Sequence, residues 1–184
     1  PAPERNHQDR DRGDLALVIR RLTPDDIPAY LALRREALLT EPHAFAASPS
    51  DDRALDETFL RQAFDDPGQA TLGAFAPELG GIASVYRASG EKNAHKAYLW
   101  GVYVTPAHRG LGIGRSLVGA AIAFARTLPG VSRLDLCVSE RTPAAAALYE
   151  QLGFVTWGIE PDALRIGGES VTDRHMVLRL EPKT

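Results

Sequence analysis

The chain has 184 residues, 44% hydrophobic and 24% charged, with a formal net charge of −3. That suits one globular domain with a core of its own and gives no overall pull toward nucleic acid or an anionic membrane. A single cysteine excludes an internal disulfide framework and a multi-cysteine zinc site, and the five histidines form no H-x-x-x-H pair, so no metal is expected.

The first 14 residues, PAPERNHQDRDRGD, are charged and Pro-rich. They read as a disordered tail without the apolar core of a secretion signal, and no apolar run approaches the roughly 20 residues that span a bilayer. A cytoplasmic protein is the expectation. Residues 15–184 read as one domain. An apolar run at 15–19 suggests an edge strand, and Thr23-Pro24-Asp25-Asp26 reads as a helix start with Thr as N-cap and Pro in the first turn. The helix should run to about Leu39, broken by Glu41-Pro42, with a second helix from about Asp51 to Phe64. Residues 70–76 and 82–87 are apolar runs around Pro77-Glu78-Leu79-Gly80-Gly81, which reads as a hairpin. A central strand at 97–104 precedes a glycine-rich loop and an amphipathic helix carrying Ile113, Leu117, Ala121, Phe124 and Leu128. A strand at 131–138, a helix at 142–152 and strands at 154–159 and 171–180 complete the chain. This order predicts an α/β (α+β) fold with a mixed sheet.

The densest chemistry lies in Arg109-Gly110-Leu111-Gly112-Ile113-Gly114-Arg115. Glycines between a strand and a helix let the backbone turn tightly, and bare N–H groups at a helix start form an anion site suited to phosphate. The arginines add positive charge. A dinucleotide fingerprint would need another glycine at Leu117, and a P-loop would need lysine after Gly114, where Arg115 stands. Both nucleotide readings fail on spacing. A turn that uses its glycines only for packing is the competing reading.

Arg109-x-x-Gly112-x-Gly114 after a strand resembles the phosphate loop of the GNAT N-acetyltransferases. A second stretch, Thr142-Pro-Ala-Ala145-Ala-Ala-Leu148-Tyr149-Glu-Gln-Leu-Gly153-Phe154, is similar to that family's Asn-x-x-Ala-x-x-Leu-Tyr-x-x-x-Gly-Phe. One helix and one strand separate the two, as in the family. The resemblance implies a mixed, mostly antiparallel sheet of six to seven strands with about four helices, in which the strand at 102–104 is splayed from its neighbour. It implies acetyl-CoA as co-substrate, held by Arg109, Gly110, Leu111, Gly112, Ile113, Gly114 and Arg115 at its pyrophosphate and by the backbone of Val102, Tyr103 and Val104 along its pantetheine arm. Thr142, in place of the family's usual Asn, would cap the helix or touch that arm. Tyr149 would be the general acid that protonates the leaving thiolate, with the acetyl group passing directly to a primary amine. A non-catalytic acyl-CoA-binding regulatory module is the alternative on the same fold. Homodimers are common in the family, often through the last strands.

The residues themselves leave the acceptor side open. The central strand, Leu99-Trp100-Gly101-Val102, carries no acid, so His95, Glu160 and Asp173 are candidate bases beside a base acting through water. Residues 51–66 hold six acids against two arginines, either an acidic rim for a cationic amine or a solvated helix face. Phe45, Tyr98, Trp100 and Trp157 are either an aromatic wall or core. Cys137 reads as a small buried hydrophobe rather than a nucleophile.

Overall fold

The computed structural model describes residues 17–180; the tail expected at 1–14 lies outside them. Strands β1 (Val18–Arg21), β2 (Gln69–Phe75), β3 (Leu79–Arg87), β4 (Lys96–Val104), β5 (Arg133–Ser139), β6 (Val155–Ile166) and β7 (Glu169–Arg179) alternate with helices α1 (Ile27–Thr40), α2 (Glu57–Asp65), α3 (Ile113–Ala125) and α4 (Pro143–Gln151). They form one seven-stranded sheet of order β1-β2-β3-β4-β5-β7-β6. Only β4 and β5 run parallel. The mostly antiparallel sheet with four helices is as the sequence implied.

Alternation along each strand sends side chains to two apolar layers. On one face α3 sets Leu117, Val118, Ala121, Ile122 and Ala125 against Leu134, Leu136 and Met176, with Tyr149 of α4 in the same cluster. On the other, Ile27, Tyr30 and Leu33 of α1 and Leu60 and Phe64 of α2 pack with Ile82 and Tyr103. Each large apolar side chain among these contributes on the order of 1.5–3 kcal/mol of transfer free energy.

Several element bounds differ from the sequence expectation. The second helix starts at Glu57, not Asp51, because Asp56 caps it by accepting from Phe59 N–H at 2.8 Å, and the residues before it form a separate turn capped by Asp52. At the first helical turn Thr23 holds the N-cap position ahead of Pro24, as expected, and Asp26 reaches back to it: Thr23 N–H donates to Asp26 Oδ2 at 2.9 Å. The last hairpin is longer than the runs 154–159 and 171–180. β6 runs through Pro161, whose missing N–H is tolerated because β6 is an edge strand of the sheet. The hairpin closes through Gly167 and Gly168, both at positive φ (60° and 85°), as a two-residue turn between twisted strands requires.

The feature that positions the site is a parting of strands. β4 and β5 pair only at Lys96↔Arg133, Ala97↔Leu134 and Tyr98↔Asp135. Beyond Tyr98 they diverge. Gly101 sits at φ 63°, where the β3–β4 register shifts between Ile82 and Ser84, and the inserted residue bends β4 away from β5.

Candidate active site

The gap between β4 and β5 is a narrow slot of about 80 Å³, lined by Gly101 and Val102 on one wall, Leu136 to Ser139 on the other, and Thr142, Ala145 and Tyr149 of α4 at its back. Thr105 N–H donates to Gly80 O at 2.9 Å and Tyr103 pairs with Ile82. By the alternation of an antiparallel ladder, the peptide groups of Val102 and Val104 therefore face the slot. Tyr103 does not: its backbone is spent on β3, and its hydroxyl donates to Glu36 at 2.8 Å on α1.

The glycine loop caps the same opening. Gly110 and Gly112 both stand at φ 77°, a conformation that costs an L side chain roughly 1–2 kcal/mol. No carbonyl among the described residues takes the amides of Gly110, Leu111 or Gly112. The first-turn amides of α3, from Ile113 to Arg115, have no intrahelical partner either. A Cβ on Gly114 would lie 3.4 Å from Leu148 and 3.9 Å from Val104, which sets the start of α3 between the walls of the slot. Both arginines are held in place, Arg109 by an acid and Arg115 by a neutral amide that leaves its charge uncompensated. Arg109 donates to Val104 O at 3.0 Å and pairs with Glu41 at 2.8 Å, and Arg115 bonds Gln151 of α4. They brace the loop, and the backbone supplies the donors.

Tyr149 is 7% exposed. Burial pushes its phenol well above the usual value, so it stays protonated, and Phe154 holds the ring edge-on at 5.8 Å. Thr142 occupies the N-cap position of α4, but its hydroxyl donates back to Ser139 O at 3.0 Å and accepts from no helix amide.

Next to the slot, and sharing Leu99, Trp100, Gly101, Cys137 and Ser139 with it, is a cavity of about 300 Å³ under the 43–47 segment. Asp173 lines it. His95 and Glu160 do not: His95 sits at the closed end of the strand pair, and Glu160 bonds His175 at 2.7 Å on the outer hairpin. Phe45 and Trp100 line the cavity, whereas Tyr98 and Trp157 belong to a neighbouring depression and Trp157 is 59% exposed. The acidic run is no rim. Asp52 pairs with Arg34, Asp56 caps α2, Glu57 pairs with Arg61, and Asp51 and Asp66 close turns. A wider groove of about 800 Å³ between Arg53, Phe59 and Tyr86 meets the cavity only at Trp100.

Cys137 is exposed, contrary to the sequence reading. β4 has already parted from β5 at that point, and Cys137 opens onto the slot and the cavity beside it. Its thiol donates to Asp173 at 3.3 Å; partial burial of the thiol, then the Asp173 carboxylate, push it up to about 12, so it is no thiolate nucleophile. Arg34 was missed in the sequence. The signal was there: a charged residue on the apolar stripe Ile27, Tyr30, Arg34, Ala37.

The acetyltransferase (GNAT) family model matches residues 31–154. This chain belongs to the GNAT family. The GNAT sheet also matches solved structures: a GNAT-family acetyltransferase from Streptococcus pneumoniae has a TM-score of 0.79 and 26% identity, over 89% of this chain and 99% of that one. An acetyltransferase from Salmonella typhimurium, solved with its cofactor acetyl-CoA, shares the fold with a TM-score of 0.78 at 24% identity, over 91% and 96% of the two chains. Among curated relatives, the mycothiol acetyltransferase of Salinispora arenicola is 35% identical over 73% of this GNAT chain but only 42% of its own length. The chain thus spans about two fifths of that relative.

Proposed function

We propose that the protein is an acetyl-CoA-dependent N-acetyltransferase that moves the acetyl group directly to a primary amine. The observation that carries this reading is the opening of β4 from β5 after Tyr98, which ends on a loop of unpaired glycine amides. Bound there, acetyl-CoA supplies an activated thioester. The amides of Gly110 to Arg115, with the α3 dipole behind them, would take its pyrophosphate. The peptide groups of Val102 and the N–H of Val104, whose carbonyl Arg109 holds, would pair with its pantetheine arm as a neighbouring strand would, so recognition rests on main chain.

Tyr149, held protonated by burial beside the slot, would donate its proton to the departing sulfur. Thr142 lines the slot, and with its hydroxyl proton donated to Ser139 it can offer the cofactor only an acceptor oxygen, its methyl and its backbone. The raised thiol of Cys137 supports direct transfer rather than an acyl-enzyme.

Calorimetric titration with acetyl-CoA, with ATP and NAD as controls, tests the loop assignment; saturable binding of acetyl-CoA alone is expected. Thiol release on adding amines then tests catalysis. Binding without release from any amine would favour the regulatory module, and no binding would end both readings.

A further inference from the structure

Three residues that line the cavity beside the slot each carry a buried polar atom with no hydrogen-bond partner among the described residues. Arg34 is 3% exposed; its Nε donates to Asp52 at 2.6 Å and its guanidinium lies 4.6 Å from the centre of the Phe45 ring and 5.7 Å from that of Trp100. Its Nη1 is buried without a partner, as are Oδ1 of Asp173 and Nδ1 of His43. All three residues line the one cavity. A buried polar atom left alone costs on the order of 1–3 kcal/mol, so Arg34 Nη1 and Asp173 Oδ1 around one space point to a guest that supplies their partners.

The charges say what kind of guest. Arg34 and Asp52 neutralise each other, which leaves Asp173 as the uncompensated carboxylate among the lining residues. Cys137 occupies one Asp173 oxygen and leaves the other to a cation. Arg34 Nη1 is a donor only and calls for an oxygen. A polyamine satisfies Asp173 and offers nothing to Arg34. An amino-acid zwitterion brings a second carboxylate into a space whose cation is already paired.

Resting on the acetyltransferase reading above, we infer that the acceptor is a monocationic amine bearing an uncharged acceptor oxygen, its ammonium on Asp173 and its oxygen on Arg34 Nη1. Asp173 is then the base. Two protons leave the acceptor nitrogen as the C–N bond forms and the C–S bond breaks. Asp173 passes one to solvent, and the other ends on the CoA sulfur by way of Tyr149, which regains the proton it donated.

The test compares glycinamide, n-propylamine and spermidine as acceptors, at matched free-base concentration, by thiol release and by calorimetric binding to the CoA-loaded protein. Glycinamide is expected to exceed the other two by tenfold or more in kcat/KM. Arg34→Lys, which keeps the charge against Asp52, should erase that advantage through KM. Asp173→Asn should lower kcat for every amine while leaving acetyl-CoA affinity unchanged. Should Arg34→Lys fail to fold, the three-amine comparison on the unaltered protein decides alone. Turnover with equal preference, or with spermidine preferred, overturns this inference and leaves the acetyltransferase reading standing. Failure to bind acetyl-CoA, or to release thiol with any amine, overturns both.

Discussion

The two ends of the site are built on different principles. The cofactor end is main chain: a bulged strand, a loop of glycines at φ 77° and the first turn of α3, contiguous within about twenty residues. The acceptor end is side chains, brought from α1, the 43–47 segment, β4, β5 and β7. An end made of backbone tolerates changes of side chain around it but not of backbone geometry; an end made of converging side chains tolerates the reverse.

The largest expected effect that probes this contrast concerns Cys137. Its thiol stays protonated until pH approaches about 12, so alkylation at pH 8.5 should run two to three orders of magnitude slower than for an ordinary cysteine of pKa about 8.5. Asp173→Asn should speed it by removing the facing carboxylate. Labelling at the ordinary rate would separate the two residues and undo the acceptor end as described.

Tyr149→Phe is next. Turnover should fall on the order of a hundredfold, the lower range for a lost general acid, with acetyl-CoA affinity unchanged by calorimetry. Equal loss in affinity would make the tyrosine a wall rather than an acid.

Gly112→Val strikes the backbone end. A Cβ there meets nothing within 4 Å, so the penalty is conformational: a β-branched residue at positive φ. We expect acetyl-CoA binding to weaken about tenfold, as 1.4 kcal/mol would give, with the acceptor KM little changed.

Asp26→Asn is the control outside both ends. The Arg20 guanidinium holds Asp26 down at about 2, so the pair's stabilisation is present above about pH 4 and is lost as pH falls through about 2. With Arg20 43% exposed, screening limits it to less than about 1 kcal/mol. The urea midpoint should drop slightly at pH 7 and not at all below pH 2, and acetyl-CoA affinity should not move.

The sequence by itself determined the order of elements, the glycine loop, the strand feeding it and Tyr149 on its helix. Each depends on neighbours within a few residues, where spacing and turn chemistry act. It could not show that Tyr103 turns its peptide to β3 while Val102 and Val104 turn theirs to the slot, because one bulge at Gly101 sets that phase. Nor could it separate Asp173 from His95 and Glu160, or draw Arg34 and Asp52 together across 18 positions. Those outcomes depend on where β4 parts from β5 and on which face of β7 meets the 43–47 segment. They are long-range packing decisions, taken when two apolar layers close on one twisted sheet, and only the tertiary structure could make them.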